Sequence, residues 1–424
     1  MKLSVVIPTL NERDNVVSLV PSTVEELSAI MERDEFEIIL VDGGSKDGTK
    51  EAVEKTGAVF YRQKGKGYGN ALIEGFNVAR GEYLITMDAD LSHRPDFIRD
   101  MWRERESAEV IVASRYIEGG SAEMPILRKV LSAVLNIVFR NGLSLKIKDI
   151  SSGFRLIKKD VVKEMDLYGE DFDILEEILI KAFFEGWKIK EIPFCYRYRM
   201  SGKSHAKLLK FGISYMRTFL KMWKSRNSIL SADYDERAYF SKIPIQRYWQ
   251  RKRHAIIEEF ADNSGSMLDV GCGSSRTLGM FGHIAGLDIS MRKLRYIRKY
   301  GKPLVRATVF SLPFRDGSFH CVICSEVIEH IQKDKKIFDE LTRVLKKDGT
   351  LVLGTPDYGS AVWRAIEALY KLIIPGGYAD EHISHYSREE ILKELSGYGY
   401  RTVGYKYILK GELIVKAIKK DRGA

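Results

Sequence analysis

Asp88 and Asp90 stand one residue apart at the end of EYLITMD, in the run EYLITMDADLSHRP. Two carboxylates at that spacing after an apolar segment can grip one hard divalent cation, and such a cation offsets the charge of a departing diphosphate. A polar turn can carry the same pattern, so its company matters. Pro8, Asn11 and Glu12 close the run KLSVVIPTLNE, and Asp42 closes EIILVD. Asp173 in DFDILEE adds a carboxylate that can serve as a base or simply open a helix. A second set points to different chemistry. SMLDVGCGSS runs from an apolar stretch into a glycine turn, and nineteen residues beyond Asp269 comes Asp288 in IAGLDIS. Gly271 and Gly273 allow a close backbone approach to a ligand, and an acid at the distance of Asp288 can accept both hydroxyls of a ribose. His330 in EVIEHI, with His382 and His385 in EHISHYS, are candidate bases, although loop histidines also serve structural or solvated roles.

These residues need strand ends to hold them. KLSVVIP, EIILVD, AVFYR, EYLITMD and EVIVAS read as strands separated by helical patterns, the alternation expected of a largely parallel α/β sheet. Ligands in such sheets sit beyond the carboxyl ends of the strands, where the acids fall. The rhythm restarts in SMLDVG, IAGLDIS, FHCVICSE and GTLVLGTP around the helical DKKIFDELTRVLKK. The sequence therefore predicts two α/β domains, residues 1–225 and 250–424. A polar linker over 226–249 joins them, interrupted by Pro244 and without a strand period.

Composition narrows the class. With 45% hydrophobic and 30% charged residues the chain falls in the soluble globular range. A net charge of +10 suits phosphates, nucleic acid or an acidic lipid surface. No basic stripe interleaved with aromatics is present, so no nucleic acid partner is expected. Cys195, Cys272, Cys321 and Cys324 are too few for a disulfide-stapled secreted domain, which favours a reducing cytoplasm. Cys321 and Cys324 form a lone C-x-x-C whose Val322 and Ile323 read as strand rather than metal loop. MKLSVVIPTLNE does not read as a signal peptide, and no apolar run reaches the ~18 residues of a membrane span. Met124–Leu143 and Ala206–Trp223 place apolar residues at helical spacing among Arg and Lys. That pattern serves core packing or peripheral contact with the cytoplasmic face of an anionic membrane.

VVIPTLNE, VDGGSKDGT, KGKGYGNAL, ARGEYLITMDADLSHRP and SSGFR, in this order from about Lys2 to about Phe211, resemble glycosyltransferase family 2, and within it the dolichol-phosphate mannose synthases. The resemblance implies a GT-A fold, Mg2+ or Mn2+, and inverting transfer of mannose or glucose. The donor would be a nucleotide-diphospho-sugar, GDP-mannose or a UDP-sugar, and the acceptor a polyprenyl or dolichyl phosphate or a glycolipid. It also implies that Pro8, Glu12 and Asp42 line the nucleotide pocket, that Asp88 contacts the nucleotide side, and that Asp88 and Asp90, with Ser92 where some relatives carry glutamine, form the metal set. Arg115, Arg155 and Arg199, together with Lys203 and Ser204 in YRMSGKS, would face phosphates. A lipid phosphate is already anionic, whereas a sugar hydroxyl would need Asp173 as base. Gly43 departs from a common second aspartate, and Ala133 from an acceptor-side arginine for which Arg128 is the nearest substitute.

SLPFRDGSFHCVICSEVIEHI and LTRVLKKDGTLVLGTPD make residues 266–356 similar to class I S-adenosylmethionine methyltransferases, with a Rossmann-like fold. By that resemblance Asp269, Gly271 and Gly273 surround the methionine part of S-adenosyl-L-methionine and Asp288 takes its ribose. Thr308 stands where an adenine-contacting acid is usual. The substrate would be a glycan or related small molecule. Two other readings are a basic RNA-binding methyltransferase and a glycosyltransferase with a degenerate methyltransferase-like scaffold. The missing RNA module opposes the first, and intact Asp88, Asp90, Asp269 and Asp288 oppose the second.

Overall fold

In a computed structural model, residues 1–196, 208–373 and 382–420 are described. The chain divides into two compact units, Met1–Arg226 and Asn227–Ala424. The strands of the first are β1 (Leu3–Thr9), β2 (Phe36–Asp42), β3 (Val59–Arg62), β4 (Tyr83–Thr86), β5 (Val110–Ser114), β6 (Ser121–Ala122), β7 (Arg155–Lys158), β8 (Ile189–Pro193) and β9 (Cys195–Tyr196). Seven of them form one sheet in the order β3-β2-β1-β4-β7-β5-β8, while β6 and β9 make a small parallel pair. Only β7 runs against its neighbours in the large sheet.

Strands β2, β4 and β5 are buried throughout, as sheets covered on both faces require, which is why they read as near-continuous Val, Ile and Leu. Along β1 the faces alternate. Leu3, Val5 and Ile7 pack with Val16, Leu19 and Val20 of the helix Arg13–Ser28, whereas Val6 joins Leu72 and Phe76 of the helix Tyr68–Val78. The pairing of Thr9 with Asp42 and of Val6 with Thr86 brings the three acidic strand ends to one edge. Antiparallel β7 starts at that edge, with Arg155 beside Thr86, so SSGFR enters the sheet there.

In the second unit, β10 (Met267–Val270), β11 (Ile284–Asp288), β12 (Leu304–Arg306), β13 (Phe319–Ser325), β14 (Leu345–Pro356), β15 (Tyr400–Ile408) and β16 (Glu412–Lys419) form a sheet ordered β12-β11-β10-β13-β14-β16-β15. Strand β16 runs antiparallel between β14 and β15. The chain grows outward from β10 on one side, then resumes at β13 on the other, and this reversal opens a crevice at the carboxyl end of β10. Cys321 and Cys324 lie on β13 at an odd spacing and so fall in the cores on opposite faces of the sheet. Both are free thiols, and burial pushes Cys321 up to about 11, so the C-x-x-C gathers no ligand pair.

The stretch expected as a linker is built differently. It holds the helix Tyr234–Tyr239 and the start of the helix Pro244–Phe260, both inside the second unit. Pro244 occupies the first turn of its helix, where its missing N–H costs nothing, so it starts a helix instead of breaking a loop. His254, Ile256, Ile257 and Phe260 are buried along that helix, and the last three join the core beside β10.

Candidate active sites

The D-x-D turn of the first unit is held by Tyr68, at the start of a neighbouring helix, and by His93 of its own loop. The Tyr68 hydroxyl donates to Asp88 Oδ1 at 3.0 Å, and the Asp88 N–H donates to His93 Nδ1 at 2.9 Å. Because Nδ1 accepts, a neutral His93 carries its proton on Nε2, which lies 3.7 Å from Asp88 Oδ2. Burial lowers the affinity of His93 for a second proton, and its ring stacks on Phe154 at 4.8 Å. Asp90 Oδ1 accepts the Ser92 N–H at 3.1 Å, Ser92 is fully buried, and Leu91 between them takes a φ of +63°, a conformation leucine rarely adopts. Local backbone strain is therefore spent at the acidic pair.

Glycines explain how Tyr68 arrives. A Cβ on Gly67 would stand 2.3 Å from the Glu170 carbonyl oxygen, and one on Gly69 would stand 2.0 Å from that of Gly169. KGKGYGN thus docks backbone to backbone on the 169–170 loop, where Tyr68 also stacks on Phe172 at 4.3 Å. Gly153 of SSGFR sits beside the same atoms, its absent Cβ 3.2 Å from the Tyr68 hydroxyl and 3.5 Å from Asp88 Oδ1.

Other expected residues take other posts. Asp42 is buried, and its carboxylate accepts the N–H groups of Gly44 and Ser45, so it shapes the VDGGS turn. Glu12 accepts from the Asn15 side chain, and its N–H donates to Thr49 Oγ1; Pro8 is half-buried on β1 opposite Val41. Arg115 is gripped by both carboxylate oxygens of Asp149 and also donates to Ser151 Oγ at 2.8 Å. Arg155 is placed in the core. Only 1% exposed, it donates to the carbonyls of Leu175 and Ile150, and burial draws its guanidinium down to about 10. In this fold its two terminal nitrogens face carbonyls within the core. Asp173 receives hydrogen bonds from Thr218 Oγ1 and the Asp171 N–H and does not cap the helix it precedes. Arg199, Lys203, Ser204 and the Arg128 side chain lie outside the described residues. A cavity of about 1270 Å³ opens beside this edge, lined by Asp42, Ser45 and Arg62 together with Arg13, Lys46 and Thr49.

In the second unit the acids are held mainly by backbone. Asp288 accepts the N–H groups of Gly273 at 2.8 Å and Ser290 at 2.7 Å. Gly271 and Gly273 have φ of +68° and +52°, and their Cβ atoms would meet Val327 Cγ2 at 2.3 Å and Asp235 Oδ2 at 2.7 Å. Asp235 lies in the supposed linker and escaped the sequence reading. It accepts the N–H and hydroxyl of Ser274, each at 2.8 Å, and faces Lys293 at 3.5 Å. Burial alone would raise its carboxyl, but Lys293 and the Ser274 donors hold it below the ordinary range.

Asp269 is 4% exposed, and its Oδ2 has no hydrogen-bond partner. Burial, then the charges of Asp288 and Asp235, push it up to about 8, so a cationic ligand suits this spot. Thr308 Oγ1 accepts the Phe310 N–H at 3.4 Å. The rings of His330 and His382 come within 5.0 Å, whereas His385 is exposed and stacks on Tyr358 at 3.9 Å.

The profile of glycosyl transferase family 2 matches residues 4–166, and that of a methyltransferase domain matches residues 268–353. A dolichol-phosphate mannosyltransferase of Pyrococcus furiosus is 36% identical over 239 residues, which span 54% of this chain and 66% of that protein. A polyprenol monophosphomannose synthase of Mycolicibacterium smegmatis is 30% identical over 217 residues, 47% of this chain and 79% of that protein. Among solved structures, glucosyl-3-phosphoglycerate synthase of Mycobacterium tuberculosis aligns at 18% identity over 53% of this chain and 79% of its own, with a TM-score of 0.41. A SAM-dependent methyltransferase of Thermotoga maritima aligns at 20% identity over 40% of this chain and 95% of its own, with a TM-score of 0.33.

Proposed function

We propose, for a chain that belongs to glycosyl transferase family 2 through its first unit and carries a methyltransferase domain in its second, that the two sites catalyse separate transfers. The first moves mannose or glucose, with inversion, from a nucleotide diphosphate to a polyprenyl or dolichyl phosphate or a glycolipid. The observation that carries this reading is the D-x-D turn pinned at the carboxyl edge by Tyr68, His93 and the gap at Gly153. Asp88 and Asp90, with Ser92, would hold Mg2+ or Mn2+, which when bound neutralises the leaving diphosphate. Tyr68 and His93 fix Asp88 so that the carboxylate need not reorganise on binding. If the acceptor is a hydroxyl, Asp173 is the candidate base, already positioned by Thr218.

The second site transfers a methyl group from S-adenosylmethionine to a glycan or related small molecule. The orphaned Asp269 oxygen suits the cofactor's cationic methionine end, and the Gly271 and Gly273 turn leaves a cradle that any Cβ would fill. Asp288 would accept the ribose hydroxyls. Support for membrane contact comes from Ile126, Val130, Val134 and Ile137, exposed along one face of the helix Ile126–Gly142, and from Met216, Leu220 and Trp223 on the helix Leu208–Asn227. No described helix is long and apolar enough to cross a membrane; the contact proposed is a peripheral one. Purified protein should transfer label from one of GDP-mannose, UDP-glucose or UDP-N-acetylglucosamine to polyprenyl phosphate only with a divalent ion. Full transfer in excess chelator would overturn the reading of the first site.

A further inference from the structure

Glu329, His330 and His382 each offer one ligand atom, and these atoms lie within 4.8 Å of one another. We propose that this cluster is a second divalent-metal site, holding a transition-metal dication that binds the hydroxyl acceptor of methyl transfer. For its chemistry the inference rests on the methyltransferase reading of this unit.

The three residues are brought together by specific structure. Glu329 and His330 form a short helical turn just after β13. His382 is anchored beside them because the N–H groups of Ile383 and Ser384 donate to the Glu329 carbonyl at 2.8 and 3.0 Å, and Ser384 Oγ donates to the Ile331 carbonyl at 2.6 Å. Glu329 is fully buried; Oε2 accepts from Thr355 at 3.2 Å, and Oε1 has no hydrogen-bond partner. A buried carboxylate oxygen in that state calls for a proton or a cation.

The environment of His382 supplies the second reason. The Tyr358 hydroxyl donates its one proton to Glu367 at 3.0 Å, so at 2.7 Å its oxygen accepts from His382 Nδ1–H. That fixes the tautomer and leaves Nε2 of the buried ring to act as a ligand, the arrangement by which an outer carboxylate orients a metal-binding imidazole. Ligands ~2.1 Å from one ion stand ~3.5 Å apart, so the set closes with small rotamer shifts. Two imidazoles and one carboxylate favour zinc-like ions over Mg2+, and three protein ligands leave a position open for substrate.

Location gives the site its role. Val327, which packs against Gly271 of the proposed cofactor turn, precedes Glu329 by two residues, so the cluster lies at the same strand edge. An acceptor hydroxyl bound to the ion loses its proton to solvent. Its oxygen then forms the new O–CH3 bond while the S–CH3 bond breaks, and that electron pair returns to sulfur, leaving the neutral thioether.

The test uses the full chain carrying Asp88→Asn and Asp90→Asn, which removes the carboxylates of the first unit's expected site, with Co2+ as an optical probe and Zn2+ in calorimetry. About one ion per chain should bind. Glu329→Gln, His330→Ala or His382→Ala should each weaken binding by ~100-fold or more, and Tyr358→Phe by ~10-fold, as loss of an outer partner does. Failure of the folded chain to take up Co2+, or uptake that none of the three ligand substitutions alters, overturns the proposal. S-adenosylmethionine titrated into the same samples separates the two ideas. Cofactor binding without metal sinks the metal site alone, whereas metal binding without cofactor sinks the methyltransferase reading.

Discussion

Both sheets place their first four large-sheet strands in the same spatial order and collect acids at the carboxyl edge, yet they hold Asp88 and Asp288 differently. Asp88 is fixed by a tyrosine 20 residues away and a histidine whose ring is stacked in the core. Asp288 is fixed by the N–H groups of glycine and serine turns, while Asp269 beside it is left with an unpaired oxygen. On the proposed reading, the difference fits what each edge would meet. A carboxylate that receives a metal-bound diphosphate would be fixed in advance, as Asp88 is by Tyr68. Where the ligand itself is cationic, one carboxylate can be left unsatisfied until the ligand pairs with it.

The sharpest way to break the comparison is to cross the two sites. Asp90→Asn should abolish sugar transfer while leaving S-adenosylmethionine affinity intact, and Gly271→Arg should do the reverse by driving a side chain into the space beside Val327. Transfer assays and calorimetry on both variants decide it; loss of both activities from a folded Gly271→Arg protein would mean one composite site. Next in size, Gly69→Ala should lower the stability of the first unit by ~1–3 kcal/mol, since its Cβ would strike the Gly169 carbonyl at 2.0 Å. Chemical denaturation followed by tryptophan fluorescence measures this.

Those outcomes also mark what the sequence made legible. Alternating apolar runs sufficed to find both sheets, and acids placed after them located both edges. A strand reading also disposed of Cys321 and Cys324, because an odd spacing sends them to opposite faces. Arginine was less readable: nothing local shows that Arg155 is buried and donates to two carbonyls reached only through folding. His93 stood inside the DADLSHRP motif, yet its part in holding Asp88 emerges only when Phe154 of SSGFR packs over its ring. Asp235 acts on a serine 39 residues away, beyond any local pattern.

A smaller effect sharpens the electrostatic side. The folded pKa of Asp269, about 8, is raised above its unfolded value, so the free protein holds a proton there that a cationic ligand must displace. Cofactor affinity should therefore climb as pH rises toward 8 and level off above it, and Asp269→Asn should flatten the profile; a flat profile in the unmodified chain would place the cation elsewhere. Smallest is the surface effect: flotation with anionic liposomes at low salt should fall a few-fold when Val130 and Val134 both become Glu, because both lie on the exposed apolar face.

The helix Tyr234–Tyr239 bears on how this gene can be cut. A fragment begun at Gln246 keeps every recognisable motif of the second unit but lacks Asp235, so Ser274 loses its acceptor and Lys293 its counter-ion. The smallest portable module therefore begins near Asn227, and a recombination breakpoint inside the polar stretch would deliver a domain complete by its motifs and incomplete by its chemistry.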